Sequence, residues 1–351
     1  MTTHLILENG TVFTGQGFGV SADVIGEVVF TTSMTGYLET LTDPNNFGQI
    51  VVQTFPLIGN YGVIPSDFEF ESVTPKAYIV RHLCQVPSNF RSEGKLDTFF
   101  VEKNIVGLSG IDTRQLTKII RRNGVMKGVI TTKDPSTINL ENVKAYEVKD
   151  AIASVSRKAT VIEGEGSKKI AVLDFGTKRS LLNHLNALDC QIHIFPHDAT
   201  AGEILAINPN GIVLTDGPGN PNAPENAGII NTIKELNASG VPIFGVSLGH
   251  QLLALANGYE VEKMKFGNRG GNQAVKEIET GKVLITSQNH GYAVVGKEDT
   301  WSFVNINDGS CEGIDYGSSF SVQFSPRAYH KALDTTFLFE KFVARMEGRK
   351  N

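Results

Sequence analysis

The residues with the clearest potential for chemistry lie in the run GVSLGHQ at positions 245–251. Ser247 stands between two glycines, after an apolar stretch that predicts a buried strand and before one that predicts a helix. A glycine, any residue, a nucleophile, any residue and a second glycine, in this setting, predict a sharp turn that projects the central side chain at the sheet edge. The N–H groups at the helix start can stabilise an anion there. Ser247 is therefore the candidate nucleophile.

Two further segments follow predicted strands. TDGPGNP at 215–221 supplies Gly217 and Gly219, whose backbone N–H groups can approach a bound carbonyl oxygen as an oxyanion hole does. Alone this segment would be interpreted as a Gly/Pro turn. Because it and the turn around Ser247 follow adjacent predicted strands in register, we favour a binding site. QNHGY at 288–292 follows the predicted strand Val283–Thr286. A lone histidine such as His290 is more often structural than catalytic, and we expect that here.

The elements that must position these segments alternate between strand and helix. This alternation predicts an α/β fold with a doubly wound parallel sheet, in which ligands bind at the carboxyl ends of the strands. The predicted strands are Ile170–Asp174, Gln191–Phe195, Gly211–Thr215 and Pro242–Val246, and the predicted helices include Ala201–Ile207, Asn226–Leu236 and Leu248–Ala256.

The first part of the chain has a different character. Residues 1–150 show short strand-like runs broken by Gly, Asn and Pro, and one amphipathic helix that Asp112 or Thr113 can cap and Asn123-Gly124 ends. We predict an N-terminal α+β domain over 1–150. The polar segment 151–168 predicts a linker with at most one helical turn, and 169–351 form the α/β domain.

Composition excludes several classes of function. The 351 residues carry a net charge of −5 and no long basic run, which argues against nucleic-acid binding. No stretch approaches ~18 apolar residues, and no signal peptide is evident, so we expect no membrane span. The three cysteines are far apart, which fits a reducing cytoplasmic setting. No spacing predicts a metal site or a phosphate-binding loop for ATP.

The three segments together resemble the class I glutamine amidotransferases. Other motifs resemble the small subunit of carbamoyl-phosphate synthetase in particular and run through nearly the whole chain: SMTGY at 33–37, TDP at 42–44, PLIGNYG at 56–62, IDTR at 111–114, KMKFG at 263–267 and GGN at 270–272. The resemblance implies that the N-terminal domain docks a large synthetase subunit and the C-terminal domain releases ammonia from glutamine. Carbamoyl phosphate then serves arginine or pyrimidine synthesis. ATP, magnesium and bicarbonate would belong to the large subunit, with no cofactor in this chain.

The same resemblance assigns positions that contact glutamine. They are Leu248, Gln251, Asn289, Gly291 and Tyr292, with backbone positions at Gly217 and Gly219. Asn45 stands where the family usually has a serine near the glutamine, which is a mild departure.

The catalytic positions depart much further. In the family a cysteine thiolate attacks the glutamine amide, a histidine acts as base and a glutamate orients it. Here the cysteine position is Ser247. In the run QFSPRA at 323–328 the histidine position is Ser325 and the glutamate position is Arg327. A serine needs a base more than a cysteine does, Ser325 cannot supply one, and Arg327 stays protonated. We therefore predict that this chain alone is an impaired or inactive glutaminase, a pseudoenzyme subunit.

Three alternatives stay open on the sequence. His330 or His290 could act as a displaced base in an active subunit. The chain could instead be a regulatory or scaffold protein that binds glutamine or a partner without turnover. Finally, Gly245 to Gly249 could form a serine-hydrolase elbow, with Asp308 or Asp315 and His330 as partners. The amidotransferase motifs account for far more residues than the serine-hydrolase interpretation does.

Overall fold

A computed structural model describes residues 1–326 and 335–348. The chain forms two compact units, Met1–Lys149 and Asp150–Asn351. The change of unit after Lys149 falls beside the domain boundary that the sequence predicts at residue 150. Each unit has its own buried apolar core.

The first unit is built on a closed seven-stranded barrel. The strands of this unit are β1 Thr2–Leu7, β2 Val12–Gly19, β3 Val24–Thr31, β4 Gln49–Gln53, β5 Leu57–Ile58, β6 Ala77–Val80, β7 His82–Leu83, β8 Val106–Ser109 and β9 Met126–Thr131. Around the barrel the strand order is β1-β2-β8-β6-β4-β3-β9, and β5 and β7 form a separate two-stranded sheet. The neighbours β3–β4, β4–β6 and β6–β8 are parallel, so the predicted α+β character includes crossover connections.

Four short helices complete the first unit. They are α1 Tyr37–Leu41, α2 Leu96–Glu102, α3 Thr113–Asn123 and α4 Leu140–Lys144, with 3-10 turns at Pro44–Asn46, Pro65–Asp67 and Pro135–Thr137. Helix α3 is the helix that the sequence predicts. The Asp112 carboxylate accepts from the Gln115 N–H at 2.9 Å, and Gly124 ends the helix with φ 96°.

The second unit contains a ten-stranded sheet. Its strands are β10 Val161–Glu163, β11 Lys168–Asp174, β12 Cys190–Pro196, β13 Gly211–Leu214, β14 Ile243–Val246, β15 Glu260–Glu277, β16 Val283–Val295, β17 Trp301–Asn305, β18 Cys311–Asp315 and β19 Phe320–Val322. The order is β10-β12-β11-β13-β14-β19-β18-β17-β15-β16. The five central strands from β12 to β19 are parallel, as the doubly wound pattern predicts, and the flanking strands are antiparallel.

Helices cover both faces of this sheet. They are α5 Ala151–Val155, α6 Arg179–Asn186, α7 Ala201–Leu205, α8 Ala227–Ala238, α9 Leu248–Ala256 and α10 Phe337–Met346, with 3-10 turns at Pro224–Asn226 and Glu298–Thr300. Apolar residues of α6 and α10 join one core, while those of α7, α8 and α9 join the other. The burial of strand residues on both faces explains why their sequences are almost continuously apolar.

The segment predicted as a linker is folded. Residues 151–155 form α5, whose Ile152 and Val155 side chains are buried, and β10 pairs with β12 at the sheet edge. Ile152 packs into the core shared with α7, α8 and α9. Two buried apolar side chains within a polar stretch thus anchor this segment to the second unit.

The described ranges contain no helix that is long and apolar enough to cross a bilayer. Within residues 1–326 and 335–348, no three His, Cys, Asp or Glu side chains group in a way that could hold a metal ion. The cysteines Cys84, Cys190 and Cys311 are unbonded to one another.

Candidate active site

Ser247 occupies the turn that the sequence predicts, directly between β14 and α9. Its backbone has φ 51° and ψ −105°, which lies in the region that non-glycine residues rarely adopt. The Ser247 N–H donates to the Val322 carbonyl of β19 at 2.8 Å, and the Ser247 carbonyl accepts from the Gln251 N–H at 3.1 Å. The strained residue is therefore tied to the sheet on one side and to the helix on the other.

The glycines of the elbow permit this close packing. A Cβ atom on Gly249 would lie 2.2 Å from the Leu214 carbonyl oxygen, and one on Gly245 would lie 2.9 Å from the Gly249 carbonyl oxygen. The Gly249 N–H also donates to the Thr215 carbonyl at 3.0 Å. Helix α9 consequently starts against the carboxyl end of β13.

Substitution Gly249→Ala is expected to destabilise the second unit. The added methyl meets backbone atoms that cannot move without shifting α9 off β13, so we expect a loss of about 1–3 kcal/mol in the free energy of unfolding. The measurement is urea unfolding followed by fluorescence of Trp301, the single tryptophan, which lies in this unit. The matched control is Gly228→Ala in α8, where a Cβ has open space. An equal loss in both variants would contradict the steric argument.

The predicted oxyanion segment follows β13 and approaches the elbow. A Cβ on Gly217 would come 2.3 Å from the Phe175 carbonyl oxygen and 3.0 Å from the Leu248 side chain. Gly219 has φ +98°, which favours glycine. The structure thus places Gly217 beside Leu248, the first residue of α9. The assignment of these glycines as glutamine contacts stays a prediction.

Ser325 lies at a neighbouring strand end. Strand β19 pairs in parallel with β14, with Val322 opposite Val246, and Ser325 follows three residues after Val322. The Ser325 N–H donates to the Ser287 carbonyl at 2.9 Å, which joins the chain after β19 to β16. The positions that the sequence analysis assigns to nucleophile and base therefore follow adjacent parallel strands, where ligand sites of such sheets lie.

A small pocket adjoins Ser325 at the carboxyl edge of the sheet. Its lining combines backbone and side chains from four strand ends with the start of α6 and one residue of α10: Lys178, Ser180, Leu181, Asp216, Val246, Ser325, Pro326 and Phe339. Within it the Lys178 ammonium lies 2.6 Å from the Asp216 carboxylate, and both side chains are almost fully buried. The pocket thus contains a buried ion pair beside Ser325, the position that the resemblance assigns to the base.

Sequence reasoning did not nominate Lys178 or Asp216 as site residues. Asp216 lay within the glycine-rich segment after β13, and Lys178 directly precedes α6 in the connection that follows β11. Both therefore follow parallel strands at their carboxyl ends. Their position directly after parallel strands could have identified them from the sequence, because ligands of such sheets bind at the carboxyl ends of the strands.

The segment 288–292 lies within a strand. The sequence predicts a strand that stops at Thr286, whereas β16 continues to Val295 and pairs with β15 through Lys263–Tyr292 and Arg269–Asn289. The glycines and polar residues here do not end the strand because a long antiparallel partner holds it. Register shifts in β15 between Lys263 and Asn268 bend the pair locally.

Gln251 connects this strand to the segment of Ser325. Its Nε2 donates to the Tyr292 carbonyl at 3.0 Å and to Gln323 Oε1 at 2.9 Å. Three predicted glutamine contacts, Gln251, Gly291 and Tyr292, therefore lie close together. Gln251 also contacts Gln323, which is two residues before Ser325. Leu248 is buried in the same unit.

One sequence-predicted residue lies in the first unit, and two lie outside the described residues. Asn45 lies in the first unit, in the 3-10 turn Pro44–Asn46, where its N–H donates to the Asp43 carboxylate at 3.0 Å. Its contact with glutamine stays a prediction. Arg327 and His330 lie outside the described residues, and so does any base that His330 would supply.

The family models divide the chain as the fold does. Residues 5–130 match the carbamoyl-phosphate synthase small chain, CPSase domain, and residues 171–345 match glutamine amidotransferase class-I. A carbamoyl phosphate synthase small chain of Clostridium perfringens is 45% identical over 98% of this chain and 99% of its own length. This chain belongs to the carbamoyl-phosphate synthase small-chain family. The pyrimidine-specific small chain of Bacillus subtilis is 44% identical over 99% of this chain and 96% of its own length.

Comparison with solved structures gives partial matches of low sequence identity. A glutamine amidotransferase from Thermotoga maritima covers 53% of this chain and 87% of its own length, with 17% identity and a TM-score of 0.40. Membership of the family is thus shown by the full-length relatives, and it confirms the predicted order of an N-terminal small-chain domain followed by a class I amidotransferase domain.

Proposed function

We propose that this chain is the small subunit of a carbamoyl-phosphate synthase and keeps the pocket for glutamine but hydrolyses it very slowly or not at all. The observation that carries the proposal is the pair of serines, Ser247 on the elbow and Ser325 after the adjacent strand, at the positions that family members use for nucleophile and base. The large subunit, with ATP, magnesium and bicarbonate, would then draw on free ammonia in the cytoplasm. The product would serve pyrimidine or arginine synthesis.

The chemistry of the pair supports slow hydrolysis. A serine hydroxyl ionises far less readily than a thiol, so it needs a neighbouring base to attack an amide. Ser325 has no titratable group near neutral pH. In a serine protease triad, loss of nucleophile or base lowers the rate roughly 10⁶-fold.

The two buried histidines of the site are engaged elsewhere. His250 Nδ1 lies 2.7 Å from Ser321 Oγ, and His290 Nδ1 lies 2.9 Å from the Tyr292 carbonyl. Burial lowers the pKa of His250 to about 3 and that of His290 to about 4. His290 keeps the structural character that the sequence predicts, which argues against its use as a displaced base.

The test combines the chain with a large subunit and measures carbamoyl phosphate formation from ammonium and from glutamine. We expect a normal rate with ammonium and a rate with glutamine at least about 10³-fold lower, given the loss of nucleophile and base together. The ammonium reaction is the internal control for a competent complex. Equal rates from both nitrogen sources would contradict the proposal.

A regulatory or scaffold pseudo-amidotransferase is the second candidate, because a retained pocket without its chemistry also suits a sensor. Failure to co-purify with a large subunit, together with glutamine binding by the isolated chain, would favour it. A serine hydrolase that uses Ser247 would instead reveal itself by ester hydrolysis that Ser247→Ala abolishes.

A further inference from the structure

A buried group of polar side chains surrounds Gln251, one of the predicted glutamine contacts. His290 from β16, Glu312 from β18, Gln323 after β19 and Gln251 from α9 are all nearly inaccessible to solvent. None of the catalytic positions of the family falls in this group. Buried polar side chains of this kind are costly unless they are satisfied, so their arrangement calls for a role.

The contacts close a circuit through three segments of the site. The Tyr292 carbonyl accepts from His290 Nδ1 at 2.9 Å and from Gln251 Nε2 at 3.0 Å. Gln251 also reaches Gln323 Oε1, and the Gln323 N–H donates to the Glu312 carbonyl at 2.9 Å. Glu312 Oε1 then lies 3.9 Å from His290 Nε2, which returns to the start. The circuit links the elbow helix, the strand of residues 289–292 and the chain leading to Ser325.

The hydrogen bonds locate the protons of this circuit. A carbonyl only accepts, so His290 Nδ1 carries a proton towards Tyr292. Asn305 Nδ2 donates to Gln288 Oε1 at 3.4 Å and to Glu312 Oε1 at 3.2 Å. His290 Nε2 therefore faces two oxygens, Gln288 Oε1 at 3.3 Å and Glu312 Oε1.

The amide of Gln288 is fixed in that orientation. Its Nε2 donates to Thr286 Oγ1 at 3.2 Å, while the Thr286 hydroxyl donates to the Gln273 carbonyl at 3.0 Å. Rotating the amide would place two acceptors or two donors against each other. Because a nitrogen lone pair facing two oxygens is repulsive, the pair holds one proton, either on His290 Nε2 or on the Glu312 carboxyl.

We propose that Glu312 and His290 share one proton and, through it, hold the 289–292 strand against Gln251 and Gln323, which makes them positioning residues of the glutamine pocket. This inference rests on the proposed function in one respect, namely that the pocket binds glutamine. Loss of the proton would leave a buried carboxylate facing a neutral imidazole and loosen the strand.

Burial raises the pKa of Glu312 to about 8 and lowers that of His290 to about 4. When the strand opens, both groups return to their ordinary pKa values, 4.5 for Glu312 and 6.5 for His290. Glu312 then loses its proton above pH 4.5, and His290 gains one below pH 6.5. Between about pH 4.5 and 6.5 these two contributions to the free energy of opening have opposite slopes and cancel. Between about pH 6.5 and 8 only that of Glu312 remains, so the free energy of opening falls as the pH rises. The charged or titratable groups that face the pair are Asp308 from the β17–β18 turn, Arg269 from β15 and His250 from α9.

The experiment compares the wild type with Glu312→Gln, which keeps the size, offers an acceptor and a donor as a protonated carboxyl does, and cannot ionise. Hydrogen exchange of the peptide covering residues 287–293 is measured by mass spectrometry and corrected for intrinsic exchange. In the wild type we expect opening to become about tenfold more frequent between pH 6.5 and pH 8, and in the variant to stay level or fall by about twofold. The same pH slope in both proteins would overturn the inference.

Glutamine titration by calorimetry at the same two pH values separates this inference from the proposed function. Weaker binding at the higher pH in the wild type alone supports both. Absence of binding at either pH, with the predicted exchange pattern, contradicts the proposed pocket and leaves the proton pair standing. If Glu312→Gln does not fold, carbon NMR of labelled glutamate carboxyls in the wild type decides. Burial also raises the pKa of Glu39 to about 7, so Glu39→Gln serves as the background. On it, a carboxyl that titrates near 8 supports the pair, and titration of every glutamate below about pH 6 overturns it.

Discussion

Glutamine hydrolysis by this chain is expected to rise at least about 10³-fold when Ser247→Cys, Ser325→His and Arg327→Glu are combined. The thiol then has a base on the adjacent strand end, and the base has a carboxylate to orient it. The elbow needs no rebuilding, because Ser247 already has φ 51° at the start of α9. Ser325 lines a small pocket at the end of the strand adjacent to the elbow, which is the side on which the imidazole would lie. The measurement is ammonia release from glutamine by the purified triple variant with the large subunit present.

The single variant Ser247→Cys is the matched control for this restoration. It supplies the nucleophile without a base, so we expect its glutaminase rate to stay near that of the wild type. Ser325→His with Arg327→Glu, on a Ser247 background, tests the base alone. A large gain from Ser247→Cys by itself would show that another residue supplies the base. No gain from the triple variant would show that the pocket has lost glutamine.

Lys178→Met is expected to lower the free energy of unfolding of the second unit by about 3–5 kcal/mol. The ammonium lies 2.6 Å from the Asp216 carboxylate, and both side chains are about 5% exposed or less. Removal of the ammonium takes away a charge that offsets the desolvation of the buried carboxylate. Urea unfolding monitored through Trp301 measures the loss.

Two further variants make this prediction specific. Lys178→Met combined with Asp216→Leu removes both charges, and we expect it to recover much of the stability because the carboxylate that lost its ammonium partner is removed as well. Lys234→Met, at an exposed position of α8, is the control for the substitution itself and should change stability by less than about 0.5 kcal/mol. Equal stability of Lys178→Met and Lys234→Met would contradict a stabilising buried pair.

The sequence by itself determined the family, the order of the domains and the local geometry of the elbow. Helix α9 spans Leu248–Ala256 as predicted, and β14 ends at Val246 as predicted. Local signals suffice there, because glycines on either side of Ser247 and an apolar run on each side leave one way to turn from strand to helix. The proposal that Ser247, Ser325 and Arg327 stand at the catalytic positions also rests on motif position alone.

The tertiary structure decided what depends on pairing between distant residues. Closure of the barrel joins β1 to β9, and β16 extends past Thr286 because β15 pairs with it. The Lys178–Asp216 pair and the circuit from Gln251 to Glu312 likewise join residues that are far apart in the chain. Such contacts carry no local sequence signature, because each residue alone is compatible with an exposed polar position. Burial and strand register alone turn them into an ion pair and a proton-sharing pair.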